Sequence, residues 1–424
     1  MRNVSYFKDK KITIVGLARS GLACANILER LGSEVFITDN KDNDGTRSYA
    51  SQLNSAAIKI ELGRHSKDFI AGKDLVIISP GVPRAATPFV WAKELKIPVI
   101  SEIEFAWILC PATVIAVTGS NGKTTTTTLI GKILEAAGKK VFVCGNIGNP
   151  FSGEIEKMGE GDFVSLEISS FQLEHIDTFK PQVAVIINFS PNHLDRHKDM
   201  QEYLEAKRRI FINQDKNDYT VLNAQDPIVS ALSVQTHARV VYFSGSEDIN
   251  PNYAAVMAVG LTLGIDREIT LGVLKNFKGI EHRMEYVAEI NNVKFINDSK
   301  ATTVESTQWA LNTIKAPVIL IAGGRHKGID YRTLLPLAKN KVRQVILIGE
   351  ARPILAEAFK GELAFEEAES LEDAVRLAMH KASAGDCVLF SPMCSSFDMF
   401  SNYEERGRVF KKAVADLANK EIPR

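Results

Sequence analysis

The sequence predicts an α/β protein built on parallel sheets. Apolar, Val/Ile-rich runs alternate with amphipathic stretches along the chain: KITIVG, EVFIT, DLVIIS, TVIAVTG, KVFVCG, FVSLEI, VAVIIN, TVLN, VVYF, VILIAGG, QVILIG and CVLFSP. Continuous apolar strands between helices imply sheets covered on both faces. Polar loop chemistry collects just after several of these strands, where open α/β sheets bind ligands. The chain has 424 residues, 45% of them hydrophobic, enough for two to four domains of roughly 150 residues each. Three units are expected: a Rossmann-like N-terminal domain over 1–110, a central P-loop ATPase-like mononucleotide-binding domain over 111–280, and a C-terminal Rossmann-like α/β domain over 281–424.

Lys plus Arg number 51 and Asp plus Glu number 51, giving zero formal net charge. No global field then favours nucleic acid or an anionic membrane, and any bound anion needs a local site. The five cysteines, Cys24, Cys110, Cys144, Cys387 and Cys394, are scattered without a C-x-x-C pair, which argues against zinc and for a reducing cytoplasm. The amino terminus, MRNVSYFKDKKITIVG, lacks a long apolar segment, and no run approaches the roughly 20 apolar residues that span a bilayer. A soluble cytoplasmic protein acting on small molecules is expected.

The first unit opens with KITIVGLARSGLACANILERLGSEVFITDN, which sets Gly16 and Gly21 between a strand and a helix and puts Asp39 after the next strand. That is a Rossmann-type half, whose helix amino terminus would meet a diphosphate while Asp39 accepts from a sugar or base. Ala18 occupies the middle glycine position of G-x-G-x-x-G, so NAD is not the default ligand.

The second unit opens with TVIAVTGSNGKTTTTTLIGKIL, a strand, a glycine-containing turn and a helix beginning near Lys123. Backbone N–H groups at such a helix start cradle phosphates, the lysine reaches the β- and γ-phosphates, and the Thr124 hydroxyl suits Mg²⁺. The spacing G-x-x-G-K-T is shorter than the common form. Further on, Glu167 ends the apolar strand of FVSLEISSFQL, where an unpaired carboxylate is costly to bury and a metal ion would compensate it. VAVIINFSPNHLDRH then brings His193, Asp195 and His197 to the end of the next strand. Leu194 after His193 rules out the zincin H-E-x-x-H pattern. Alone, His193 reads equally well as structural or as a ligand; beside a phosphate loop, Mg²⁺ is the better reading, since it takes one or two protein groups plus phosphate and water. The run Lys207-Arg208-Arg209 in EYLEAKRRIF reads on composition as a solvated helix face.

In the third unit, Arg283 precedes a strand that ends at Asp298-Ser299-Lys300-Ala301-Thr302. VILIAGGRHKGID and CVLFSPMCSSFDMFSNYEERG each end a further strand in polar loops.

Taken in order, these elements resemble the Mur ligase family. The matching segments are GLARSG and SPGV in the first unit; TGSNGKTT, GNIGNP, LEISSFQL, NHLDRH and AKRRIF in the second; and HRMEY, NDSKATT, GGRHKG and SPMCSSFDMFSNYEERG in the third. A Rossmann-like unit ahead of the phosphate loop sets the chain apart from folylpolyglutamate synthases, which begin almost directly with that loop. GGRHKG and SSFDMF look like the D-glutamate-adding branch, and no D-N-P-R-type segment of the diaminopimelate- or lysine-adding branches is present.

The resemblance implies an ATP-dependent amide ligase that adds D-glutamate to UDP-N-acetylmuramoyl-L-alanine through an acyl phosphate, releasing ADP and phosphate, in cytoplasmic peptidoglycan precursor synthesis. It implies a monomer with no nucleic-acid or membrane partner. A sister ligase for another amino acid, or a nucleotide-binding module without catalysis, is the alternative.

By resemblance, Gly119, Asn121, Gly122, Lys123, Thr124 and Thr125 hold ATP together with Arg283, Asp298 and Lys300. Thr124, Glu167, His193 and Lys207 hold Mg²⁺ at two sites, Lys207 as a CO₂-derived carbamate. Lys123, His193, Lys207 and Lys300 form the catalytic group. Arg19, Ser20, Asp39, Asn40, Ser79, Pro80 and Gly81 take the uridine-diphosphate end of the substrate, with Asn146, Ser169 and His193 toward its reacting end. Thr302, Lys327, Ser396, Phe397 and Tyr403 take D-glutamate. Two departures stand out. The family's H-N-x-x-N stretch is shortened here to SEDINPNYAAVMAV, with Asn252 as its surviving asparagine, and Arg325-His326 replaces an acidic residue beside the GG turn. The ligands are split among three domains, so closure after loading is expected.

Overall fold

The computed structural model describes residues 1–83, 86–191, 196–246, 249–326 and 328–421. Three sheets organise them. The first contains β1 (Lys11–Val15), β2 (Glu34–Asp39), β3 (Lys59–Leu62), β4 (Leu75–Ile78) and β5 (Val99–Ser101) in the order β3-β2-β1-β4-β5, with every pairing parallel. Its central strands are apolar and buried because helices cover both faces. The chain leaves β1 and β4 toward opposite edges, so the crevice beyond their carboxyl ends is the topological switch point.

The second sheet contains β6 (Thr113–Thr118), β7 (Val141–Gly145), β8 (Phe163–Glu167), β9 (Val183–Ile186), β10 (Tyr219–Asn223) and β11 (Arg239–Phe243). Its order is β11-β10-β9-β6-β8-β7, again all parallel. Here the switch point falls between β6 and β8. Val117 pairs with Glu167 across it, which sets the phosphate loop after β6 beside the strand that ends in the buried glutamate.

The third sheet, β12 (Glu285–Ile290), β13 (Val293–Asn297), β14 (Val318–Gly323), β15 (Val342–Ile348), β16 (Phe365–Glu367) and β17 (Cys387–Phe390), runs β12-β13-β17-β14-β15-β16. One pairing departs from the all-parallel expectation: β12 and β13 form an antiparallel hairpin. Its turn is Asn291-Asn292, with φ of 50° and 63°. Asparagine tolerates that left-handed backbone, and two such residues make the turn whose twist matches a hairpin. Of the hairpin strands, β13 is the strand expected ahead of Asp298, whereas the sequence reading omits β12. It also omits β3, β5 and β16, short strands at sheet edges with little apolar signal.

The chain divides into two compact units, Met1–Phe277 and Lys278–Arg424. The expected 110/111 border therefore lies between sheets inside one unit. The reason is the helix Glu102–Leu109, which buries Ile103, Phe105, Ala106 and Leu109 in a core continuous from Phe7 to Leu232. Its two glutamates are buried as well and point into the second sheet's loops. Glu104 accepts hydrogen bonds from the Asp177, Thr178 and Phe179 backbone N–H groups at 2.8–3.0 Å and from the Thr178 hydroxyl. Glu102 accepts from the Ser152 N–H at 2.6 Å. All five cysteines are free and buried. Among the described residues no helix is long and apolar enough to cross a membrane.

Candidate active site

The phosphate loop is held in shape by its glycines and by the next strand's exit. Gly122 caps the helix Lys123–Ala136 with φ 81°, a left-handed conformation that glycine adopts without strain. A Cβ there would also collide with the Asn252 side-chain amide, which lies directly on the loop. The shortened stretch SEDINPNYAAVMAV thus still delivers its asparagine to the phosphate loop, at the start of the helix Pro251–Thr262. Asn121 N–H donates to Asn188 Oδ1 and Asn188 Nδ2 donates back to Asn121 O. Ser120 Oγ donates to Ser190 O while accepting from Ser190 N–H. These bonds lock the loop to the segment after β9.

Two lysines converge on one carbonyl. Lys123 Nζ lies 2.9 Å and Lys207 Nζ 2.8 Å from Gly119 O. Lys207 is 1% exposed, so the solvated-face reading of its basic run does not apply to it. Burial, reinforced by the neighbouring Lys123 charge, pushes the Lys207 amine well below the ordinary lysine range. Arg209 instead braces the fold, donating to the Leu173 and Ile176 carbonyls, and Arg208 pairs with Glu205.

Glu167 is 2% exposed. Its Oε1 accepts from Asn146 Nδ2 at 2.8 Å, whereas its Oε2 has no hydrogen-bond partner among the described residues. Pairing of β7 with β8 puts Gly145 opposite Glu167 and so brings Asn146 onto the carboxylate. Thr124 is buried at the helix start and Thr125 is half-buried next to it. His193, expected as a ligand and catalytic group, lies outside the described residues, as does Asp195. His197 is buried and bonds Ser170 Oγ through Nε2 at 2.9 Å. Among the described residues no three His, Cys, Asp or Glu side chains cluster as a metal site.

At the first sheet's switch point opens a cavity of about 560 Å³. Arg19, Ser20, Asp39, Asn40, Ser79, Pro80, Gly81 and Asn146 all line it. Gly16, at φ 97°, closes the turn, and a Cβ there would press on the Ser79 side chain. Asp39 is already engaged, accepting from Leu17 N–H at 2.7 Å and Lys41 N–H at 2.8 Å; it shapes the turn whatever else it meets. Arg19 donates to Gly148 O. Ser169 is not on this wall; its hydroxyl caps the short helix Ser170–Leu173 in a reciprocal pair with Gln172, and Gln172 lines the cavity instead. Tyr49, His65 and Glu102 also line it. Sequence reasoning missed them, because each reaches the cavity by folding rather than through a motif.

In the second unit, loops after β13, β17 and β14 come together. Asp298 is buried, accepting from Met284 N–H and from Ser391 Oγ at 3.0 Å. Burial pushes its carboxyl up to about 7, opposed by those bonds and by Arg283. Lys300 Nζ sits 5.6 Å over the Tyr403 ring, and Ser299 Oγ donates to Tyr403 O. Thr302 is half-buried, Ser396 is buried, and Phe397 is 61% exposed. Arg406, 1% exposed, ties the first two loops through Ser299 O and Cys394 O. Arg325, where the family pattern has an acid nearby, pairs with Glu350 at 3.1 Å. Lys327 lies outside the described residues.

Known proteins match this chain over most of its length. Residues 10–101 match the Mur ligase MurD-like N-terminal domain, 117–263 the Mur ligase middle domain, and 282–394 the Mur ligase glutamate ligase domain. Two UDP-N-acetylmuramoylalanine–D-glutamate ligases are full-length relatives. That of Thermoanaerobacter pseudethanolicus is 40% identical over 97% of this chain and 99% of its own; that of Geotalea uraniireducens is 44% identical over 96% and 98%. Among solved structures, the UDP-N-acetylmuramate-alanine ligase MurC of Thermotoga maritima aligns at TM-score 0.60 and 20% identity, covering 96% of this chain and 100% of that one. A pseudomurein peptide ligase type C of Methanothermus fervidus aligns at 0.56 and 19%, covering 96% and 100%.

Proposed function

Because the chain belongs to the Mur ligase family, we propose that it joins D-glutamate to UDP-N-acetylmuramoyl-L-alanine at the expense of ATP, in peptidoglycan precursor synthesis. Relatives near 40% identity over nearly the full chain carry that activity in their names. The observation in the fold that supports it best is the pairing of a phosphate loop with a buried carboxylate, Glu167, one of whose oxygens has no partner among the described residues.

Forming an amide in water requires an activated carboxylate. Transfer of the γ-phosphoryl group to the substrate carboxylate breaks the bond to ADP and forms an acyl phosphate. The D-glutamate amine then attacks, and a tetrahedral intermediate collapses to amide and phosphate. The first step brings two anions together. Lys123 and the loop N–H groups at the start of Lys123–Ala136 hold the phosphates. Lys300 adds positive charge in the second unit, with Arg283 and Asp298 on the nucleotide.

The donor set fits Mg²⁺. Glu167 Oε2 is an orphaned hard ligand, Thr124 supplies a hydroxyl, and His193 belongs to the same assignment. Burial that lowers the Lys207 amine favours its neutral form, the nucleophile CO₂ requires; as a carbamate it would become an anionic ligand. Two such ions, when bound, would neutralise the meeting phosphate and carboxylate charges.

The cavity of the first unit takes the uridine-diphosphate end, with Arg19 and Ser20 at the diphosphate and Asn146 toward the reacting end. Thr302, Lys327, Ser396, Phe397 and Tyr403 take D-glutamate. We assign the reaction to the cytoplasm and to a monomer.

The test is phosphate release with ATP, Mg²⁺ and UDP-N-acetylmuramoyl-L-alanine, run separately with D-glutamate, L-glutamate, L-lysine, meso-diaminopimelate and no amino acid. Release with D-glutamate alone, and a product heavier by one glutamyl residue, is the expected result. Release with another amino acid would reassign the enzyme to a sister activity.

A further inference from the structure

Beneath the GG turn of the second unit runs a hydrogen-bonded chain of side chains: His326 Nδ1 lies 3.1 Å from the Tyr331 hydroxyl, which lies 3.0 Å from Cys394 Sγ. Tyr331 and Cys394 are 1% and 0% exposed, and His326 is half-buried. The ends of the chain stand on different loops. His326 follows β14 in GGRHKG, and Cys394 follows β17 in SPMCSSF. A backbone bridge between Arg325 and Ser395 runs alongside, Arg325 N–H donating to Ser395 O at 2.9 Å and Ser395 N–H to Arg325 O at 3.2 Å. Residue 393 carries a positive φ of 60° as methionine, so the loop after β17 holds a backbone form that side chains disfavour. Contacts outside the loop must stabilise that form.

We propose that Tyr331 is a positioning residue for the incoming amino acid: its hydroxyl fastens the loop carrying Ser396 and Phe397 to the loop carrying Lys327. The inference rests on the D-glutamate assignment above and extends it to a side chain buried behind the loops that carry that assignment. The donor order along the chain follows the histidine tautomer: with the imidazole proton on Nε2, Tyr331 donates to Nδ1 and accepts from Cys394, and with the proton on Nδ1 the order reverses.

A positioning role predicts a split in the kinetics. Tyr331→Phe keeps the buried ring and removes only the hydroxyl. Loss of the hydroxyl's two bonds, to His326 and to Cys394, should raise KM for D-glutamate about tenfold, with KM for ATP and for the UDP-linked substrate each within twofold of wild type. Cys394→Ala should raise the same KM, Cys394→Ser should restore most of it, and Tyr331→Phe combined with Cys394→Ala should be no worse than the poorer single variant, since both break the Tyr331–Cys394 link. An unchanged KM for D-glutamate in Tyr331→Phe, an equal rise in the ATP KM, or multiplicative effects in the double variant would each overturn the proposal. Wild type is assayed in the same series: wild-type turnover with another amino acid and not D-glutamate overturns the functional assignment instead, and the two failures are told apart.

Discussion

Two buried glutamates in the first unit end up in opposite states. Glu104, on the helix that joins the first two sheets, has both oxygens occupied by backbone N–H groups and a threonine hydroxyl. Glu167, at the end of β8, has one amide donor and a bare second oxygen. Both are equally hidden from water, at 1% and 2% exposure. A buried carboxylate whose lone pairs are all used is a structural staple, whereas a half-used one beside a phosphate loop is a place for a cation; Glu102, with Oε2 equally bare among the described residues, lines the first sheet's cavity instead and has its carboxyl pushed up by burial. Asp298 in the second unit is a third case, with two donors, the opposing charge of Arg283 and a carboxyl shifted to about 7.

Neutralising each group should separate these roles. The largest effect is expected at Glu167: Glu167→Gln should lower kcat by at least about a hundredfold through lost transition-state charge stabilisation, while the urea midpoint stays within error of wild type. A large stability loss with activity kept would erase the contrast. Glu104→Gln should do the reverse, lowering unfolding free energy by about 3 kcal/mol because several donors lose a charged acceptor, with kcat per folded molecule retained. Urea unfolding followed by activity of the folded fraction checks both.

Asp298 sharpens the comparison through pH. Its folded-state value of about 7 lies above the ordinary aspartate value of 3.8, so between the two the folded chain holds a proton that the unfolded chain has released. That contribution to stability is fully present below the unfolded value and is lost as pH rises through the folded one. Asp298→Asn should therefore gain stability relative to wild type as pH rises toward 7, measured as the difference in urea midpoints. A difference constant with pH would mean that burial does not shift this carboxyl. The smallest effect is expected at Asn252: removing the amide that lies on Gly122, as Asn252→Ala, should raise the ATP KM about threefold, the scale of a single modest hydrogen bond, and leave the D-glutamate KM unchanged.

The α/β class and most central strands were legible because buried parallel strands must be continuously apolar, and that leaves a pattern no neighbour can alter. The phosphate loop was legible for a similar local reason. A glycine turn, a lysine and a threonine must follow one another to wrap a phosphate, and the helix begins at Lys123 as the spacing predicts. The switch-point residues from Arg19 to Gly81 were legible through the family resemblance, and they do line one cavity. Edge strands such as β3 and β16 were not, because three or four half-exposed residues carry no period.

What only the tertiary structure decided concerns burial and long-range partners. Local sequence marks Glu104 and Glu167 alike as carboxylates in apolar surroundings; the Asp177–Phe179 loop, far along the chain, satisfies one and leaves the other. Lys207 reads as one of a basic run until folding buries it against Gly119 O. Tyr331 and Cys394 carry no motif for a shared hydrogen bond, and the adjacency of β14 and β17 creates it. Patterns set by the backbone's own periodicity were readable from the chain alone, whereas the charge state and partner of a buried side chain depend on which distant segment packs against it.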